Sequence, residues 1–132
     1  MSLTIERIDH VVLNCRDVEA TASWYERVLR MKREYFREGR IALKFGSQKL
    51  NLRPAHADPA AWVSGVNTEP GAADLCFITS MSPDNVVAHF KSEGVDIVDG
   101  PAARTGALGA MTSVYCRDPD GNLIEVASYP VG

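Results

Sequence analysis

The sequence predicts an α+β domain of two tandem βαβββ modules that form a curved mixed sheet around a polar cup. Three observations predict it. The order strand, helix, three strands can be read twice along the chain. Residues 55–71, between the two runs, are rich in turn formers, with Asp58-Pro59 and Glu69-Pro70-Gly71. Polar residues recur within the outer strands of each run, next to apolar neighbours.

The first module covers residues 5–54. Arg7-Ile8-Asp9-His10-Val11-Val12-Leu13-Asn14 reads as its first strand. Asp17 can cap a helix from about Val18 to Met31, with Val18, Ala22, Tyr25, Val28 and Leu29 at helical spacing. Three short strands follow at Arg33–Arg37, Arg40–Phe45 and Gln48–Arg53, with Gly39 and Gly46-Ser47 as turns.

The second module covers residues 72–130 and repeats the order. Ala73–Thr79 reads as a strand. Ser82-Pro83-Asp84 supplies a capping hydroxyl and then a proline at the first helical position. Val86, Val87 and Phe90 give the apolar face of that helix, and Gly94 ends it. Val95–Val98, Met111–Arg117 and Asn122–Tyr129 read as strands. Asp118-Pro119-Asp120-Gly121 joins the last two as a hairpin turn in which Gly121 takes positive φ.

Composition narrows the function classes. A chain of 132 residues fits one domain with a proper core. Its 14 basic and 17 acidic residues give a net charge of -3, without the basic clustering of a nucleic-acid binder. No apolar run approaches the roughly 20 residues of a membrane helix. Met1–Arg7 has no apolar core, so no secretory signal is expected there. Cys15, Cys76 and Cys116 are odd in number and widely spaced, which argues against a thiolate zinc site. Each reads as a small apolar strand residue, and a reducing cytoplasm is the expected compartment.

Several stretches carry a family resemblance. Ile8-Asp9-His10-Val11-Val12-Leu13 with Trp24-Tyr25-Glu26-Arg27-Val28-Leu29 resembles the first module of the vicinal oxygen chelate superfamily, which includes glyoxalases, bleomycin-resistance proteins and ring-cleavage dioxygenases. Arg117-Asp118-Pro119-Asp120-Gly121-Asn122-Leu123-Ile124-Glu125-Val126 resembles its final hairpin. Leu43–Leu52, Pro70–Ile78, Gly100-Pro101 and Arg104–Ala107 resemble the glyoxalase domain-containing protein 5 subgroup. The resemblance covers nearly the whole chain. It implies the fold strongly and the activity weakly, because one fold hosts many functions.

The resemblance implies a metal site with one ligand on the first and one on the last strand of each module. By position these are His10, Asn51, Asp74 and Glu125. Alternation supports one face for them. Leu50 and Leu52 flank Asn51, Leu75 follows Asp74, and Ile124 and Val126 flank Glu125. A carboxylate inside Leu123–Ala127 is costly to bury alone, so a divalent cation, an arginine or a proton must satisfy it unless it is exposed. Asp74 stands where these families usually place a second histidine, and neutral Asn51 is a weak ligand.

The metal set implied is therefore His10, Asp74 and Glu125. It suits a divalent ion, with Mn²⁺, Mg²⁺, Fe²⁺, Zn²⁺ and Ni²⁺ all open. A decayed site is the other reading, with Asp74 facing solvent or paired to His10 or an arginine. Asn51, Arg53 and Arg104 are the ligand-binding candidates. Arg104 stands in a glycine-bearing loop, Ala103–Gly109, and Lys44 and Arg117 can add positive potential. Trp62, His56 and His89 read as packing or surface residues.

The resemblance implies a metal-dependent lyase or isomerase acting on a small vicinal-oxygen substrate. The ion would act as a Lewis acid and Glu125 would shuttle a proton. A ring-cleavage dioxygenase and a metal-free drug-binding module are the alternatives. The expected partners are a small-molecule substrate and a second copy in a homodimer, with no nucleic acid and no membrane.

Overall fold

The computed structural model describes residues 1–131. Its elements run β1 (His10–Cys15), α1 (Val18–Val28), β2 (Lys32–Phe36), β3 (Arg40–Phe45), β4 (Gln48–Pro54), β5 (Asp74–Ile78), α2 (Pro83–Ser92), β6 (Asp99–Gly106), β7 (Gly109–Arg117) and β8 (Leu123–Ser128). The chain divides into two compact units, residues 1–68 and residues from 69 onward. Each has its own four-stranded mixed sheet, ordered β1-β4-β3-β2 in the first and β5-β8-β7-β6 in the second. In both, the outer strands of the βαβββ run pair in parallel and the remaining ladders are antiparallel. The α+β class and its duplicated order are thus those read from the sequence.

Apolar alternation fixes the faces. In the first unit α1 buries Thr21, Ala22, Tyr25 and Val28, and the sheet residues Leu13, Cys15, Leu43, Leu50 and Leu52 are buried too. Each such aliphatic side chain contributes about 1.5–3 kcal/mol on leaving water. A one-residue slip of β4 would exchange Leu50 and Leu52 for Asn51 and Arg53, so the register is strongly held. In the second unit α2 buries Val86 and Phe90, and Val114, Cys116, Ile124 and Val126 form the sheet side of the core.

The helices start as predicted. Asp17 Oδ1 accepts from the Ala20 amide at 3.1 Å, and Ser82 Oγ accepts from the Asn85 amide at 3.3 Å. Helix α1 ends at Val28, short of the expected Met31. Arg30 turns left-handed at φ 56, and the amides of Leu29 and Met31 both donate to the Tyr25 carbonyl.

The main correction concerns β6. Val95–Val98 is not a ladder strand; the strand is Asp99–Gly106, which takes in much of the expected Ala103–Gly109 loop. Its Asp, Gly, Pro and Ala residues are poor strand formers, and pairing with β7 imposes the conformation. A bulge between Asp99 and Ala102 holds the cis Gly100–Pro101 peptide, and Gly109 at φ 122 closes the tip.

The β7–β8 hairpin is tied by one carboxylate. Asp118 Oδ1 accepts from the amides of Asp120 and Asn122, each at 3.0 Å, and Oδ2 accepts from Asn122 Nδ2 at 2.8 Å. Asn122 Oδ1 in turn accepts from the Ala73 amide at 2.9 Å, just before β5. Gly121 has φ 90 with open space where a Cβ would stand, whereas a Cβ on Gly71 at φ 92 would overlap the Asp120 carbonyl oxygen. Gly121→Ala should therefore cost about 1 kcal/mol from backbone strain alone. Gly71→Ala should cost more, since the Asp120 backbone must also shift. Equilibrium denaturation of both variants checks the size and order of the two losses.

Candidate functional site

The helix-free face of the second sheet carries a pocket of about 420 Å³ lined by Asp74, Val98, Asp99, Arg104, Tyr115, Arg117, Leu123 and Glu125. Register explains the assembly. Asp74 pairs with Leu123 and that residue with Arg117, forming one row across β5, β8 and β7. Cys76 pairs with Glu125, Glu125 with Tyr115, and Tyr115 with Asp99, forming the next row across all four strands. Residues so aligned project from the same face, with directly opposed Cβ atoms about 5 Å apart.

Glu125 is half-buried in the middle of β8 and accepts a hydrogen bond from buried Ser113 Oγ at 2.5 Å. This bond engages Oε2. Asp74, by contrast, is exposed at the start of β5. The Tyr115 phenol accepts from Arg104 Nε at 3.0 Å and faces the Glu125 carboxylate. Its pKa is raised, first by desolvation and then by Glu125, while the Arg104 guanidinium opposes the rise. Arg104 also reaches Asp99 Oδ2 through Nη2 at 3.1 Å and the Ala103 carbonyl through Nη1 at 2.9 Å. It lies in a strand bordering the pocket, not in a loop, so pairing with Asp99 and Tyr115 fixes its direction.

His10 and Asn51 belong to the first unit, on the face of its sheet opposite α1. His10 Nδ1 lies 2.9 Å from Asp9 Oδ1. A carboxylate on one ring nitrogen leaves Nε2 available to a ligand, as in metal-binding histidines. That hydrogen bond is also the leading reason the Asp9 carboxyl lies below its ordinary range. Asn51 is 6% exposed, and its Oδ1 has no hydrogen-bond partner among the described residues. An orphaned buried carbonyl oxygen is costly, so an outside donor is needed there.

Arg53 requires a correction. It is 1% exposed, and its guanidinium is already spent. Nε and Nη2 donate to the Trp62 carbonyl at 3.2 and 3.0 Å, and Nη2 also reaches the Ala57 carbonyl at 3.1 Å. Nη1 donates to Asn14 Oδ1 at 2.8 Å and lies at the edge of bonding to the Pro54 and Ala55 carbonyls. The planar fork thus clamps the segment after β4 rather than meeting a ligand. Arg40 assists, lying 3.9 Å over the Trp62 ring.

The pairing of Asp74 and Glu125 on one face follows the sequence reading. Among the described residues no group of three His, Cys, Asp or Glu side chains is placed to hold a metal. Tyr115 and Ser113 were missed as site residues. Counting outward from the Asp118–Asn122 turn pairs Arg117 with Leu123, and hence Tyr115 with Glu125, so the signal was present in the hairpin.

Cys76 lies in strand β5, as read from the sequence. It is exposed on the pocket side of β5, while Cys15 and Cys116 are buried. Desolvation, then the negative charges of Glu125 and Asp74, push the Cys76 thiol up to about 11. Because a thiol reacts as its thiolate, Cys76 should alkylate slowly at pH 8 despite its exposure, about a hundredfold below an ordinary cysteine. Labelling followed by mass spectrometry should show the rate climbing as pH rises toward 11, with a faster rate at pH 8 in Glu125→Gln.

Residues 7–126 match the model of the Glyoxalase/Bleomycin resistance protein/Dioxygenase superfamily. The chain is 45% identical over 129 residues to virulence protein STM3117 of Salmonella typhimurium, spanning 98% of this chain and 88% of that one. Among solved structures, the integron cassette protein VCH_CASS1 of V. cholerae superposes with a TM-score of 0.94 at 46% identity, covering 98% of this chain and 100% of that one. Lactoylglutathione lyase from Agrobacterium tumefaciens shares the fold, with a TM-score of 0.72 at 22% identity over 95% of each chain.

Proposed function

Since the chain belongs to the glyoxalase/bleomycin resistance protein/dioxygenase superfamily, we propose that it is a metal-dependent lyase or isomerase acting on a small substrate with two neighbouring oxygens. The observation that carries this reading is the half-buried Glu125 carboxylate, held by Ser113 and faced by Tyr115 in a pocket it shares with Asp74.

Asp74 and Glu125 are hard oxygen donors on one sheet face and suit a divalent ion such as Mn²⁺ or Mg²⁺. In the first unit His10, with Nδ1 taken by Asp9, leaves Nε2 open as an imidazole donor. The ion would contribute Lewis-acid polarisation of a substrate carbonyl. The remaining steps fall to side chains. Glu125 takes a proton from the carbon beside that carbonyl and delivers it to the neighbouring position. Ser113 holds Oε2, which fixes the direction of Oε1. Tyr115, kept protonated by its surroundings, offers a hydrogen bond to developing negative charge on oxygen. A two-fold homodimer belongs to the same reading, and light scattering at micromolar concentration should give twice the chain mass.

A second reading is a metal-free binding module, favoured by the lack of a three-donor cluster among the described residues. Thermal denaturation of chelator-treated protein separates the two. Mn²⁺ or Mg²⁺ should raise the melting temperature of the wild type, since a ligand held only by the native state stabilises it. Glu125→Gln should remove most of that rise, and His10→Ala and Asp74→Asn should each reduce it. Equal rises in wild type and Glu125→Gln would exclude Glu125 as a donor. No rise with any divalent ion would leave the binding module as the better reading.

A further inference from the structure

We propose that Arg117 is the substrate's carboxylate anchor, and that the molecule bound is a short monocarboxylate with a carbonyl or hydroxyl on the adjacent carbon. This deepens the proposed function by naming the substrate class for the same pocket.

Charge distribution is the first observation. The second unit holds nine acidic side chains and only three lysines or arginines, namely Lys91, Arg104 and Arg117. Two of those three line the one pocket described above. Guanidinium groups are concentrated where three carboxylates, Asp74, Asp99 and Glu125, already stand.

The two arginines differ in what they hold. Arg104 is committed to Asp99, Tyr115 and the Ala103 carbonyl. Arg117 is exposed and donates only to the Gly121 carbonyl, at 3.4 Å. It has no ion-pair partner among the described residues. Leu123 stands between it and Asp74 in the cross-strand row. A planar fork with unspent donors at the rim of a pocket matches a carboxylate in two parallel hydrogen bonds.

Position sets the size of the molecule. Arg117 lies two residues from Tyr115 on the same face of β7 and diagonal to Glu125 on β8. Diagonal neighbours are about 7–8 Å apart at the backbone. The side chains of Arg117 and Glu125 can therefore both reach a compound a few bonds long. With the carboxylate on Arg117, the adjacent oxygen-bearing carbon falls toward Glu125 and Tyr115. Val98 and Leu123 supply apolar contact for a short alkyl group. A dianionic phosphate is disfavoured, because its second charge would meet the three carboxylates with no second uncommitted cation.

Calorimetric titration of chelator-treated protein, with and without Mn²⁺, tests this using three probes: oxamate, the neutral oxamide and inorganic phosphate. Wild type should bind oxamate at least tenfold more tightly than oxamide or phosphate. Arg117→Gln should erase the preference for oxamate over oxamide, and Arg117→Lys should restore part of it, with melting temperatures close to wild type in both. An undiminished preference in Arg117→Gln would overturn the proposal, as would a wild type that binds neither oxamate nor oxamide or prefers phosphate. Oxamate selectivity that depends on Arg117 but not on Mn²⁺ would uphold the anchor while removing the metal. A metal-induced stabilisation without selectivity would do the reverse.

Discussion

The carboxylate of Asp118 governs where the pocket residues of the second unit stand. By accepting from the amides of Asp120 and Asn122 and from the Asn122 side chain, it sets the turn that begins both β7 and β8 pairing. That turn places Arg117 opposite Leu123 and Tyr115 opposite Glu125. Through Asn122 and the Ala73 amide the same turn also fixes the start of β5, and with it Asp74. A buried carboxylate is tolerated here because both oxygens receive donors. Were the register to slip by one residue, Glu125 would turn into the helix side and Ile124 out of it.

Much of this fold was legible because local and long-range signals agree. Capping by Asp17 and Ser82, the apolar sides of both helices, and the leucines around Asn51 all point to the arrangement observed. Strand β6 was not legible, because its glycine, proline and alanine content reads as loop and only the partner strand makes it extended. Parity located Glu125 and Asp74 on one face. Arg53 was a ligand candidate by its place beside Asn51, but the sequence is silent about a backbone segment and the Asn14 side chain taking up its donors. Tyr115 and Ser113 required a register, which is a relation between strands rather than a property of either one.

The pocket is chemically asymmetric in a way composition conceals. A chain with a modest net charge divides into a first unit with eleven basic and eight acidic side chains and a second with three and nine. In the acidic unit each guanidinium has a distinct task. Arg104 holds the Tyr115 phenol and Asp99 in place, and Arg117 keeps its donors largely unspent. The raised affinities of Tyr115 and Cys76 for their protons come first from lost hydration and then from Glu125. Lost hydration and the nearby glutamate thus act in the same direction on both neighbours, and Glu125 is the one carboxylate on the row of β5, β8 and β7.

The Arg53 clamp has a dynamic consequence. Its donors gather the carbonyls of Ala57 and Trp62 and the side chain of Asn14 onto one buried guanidinium. Peeling away either end of that segment strips hydrogen bonds from a guanidinium that stays buried, so partial detachment is penalised more than complete release. Residues 55–62 should accordingly behave as one cooperative opening unit, with their backbone exchange rates rising together rather than fraying from the tip inward.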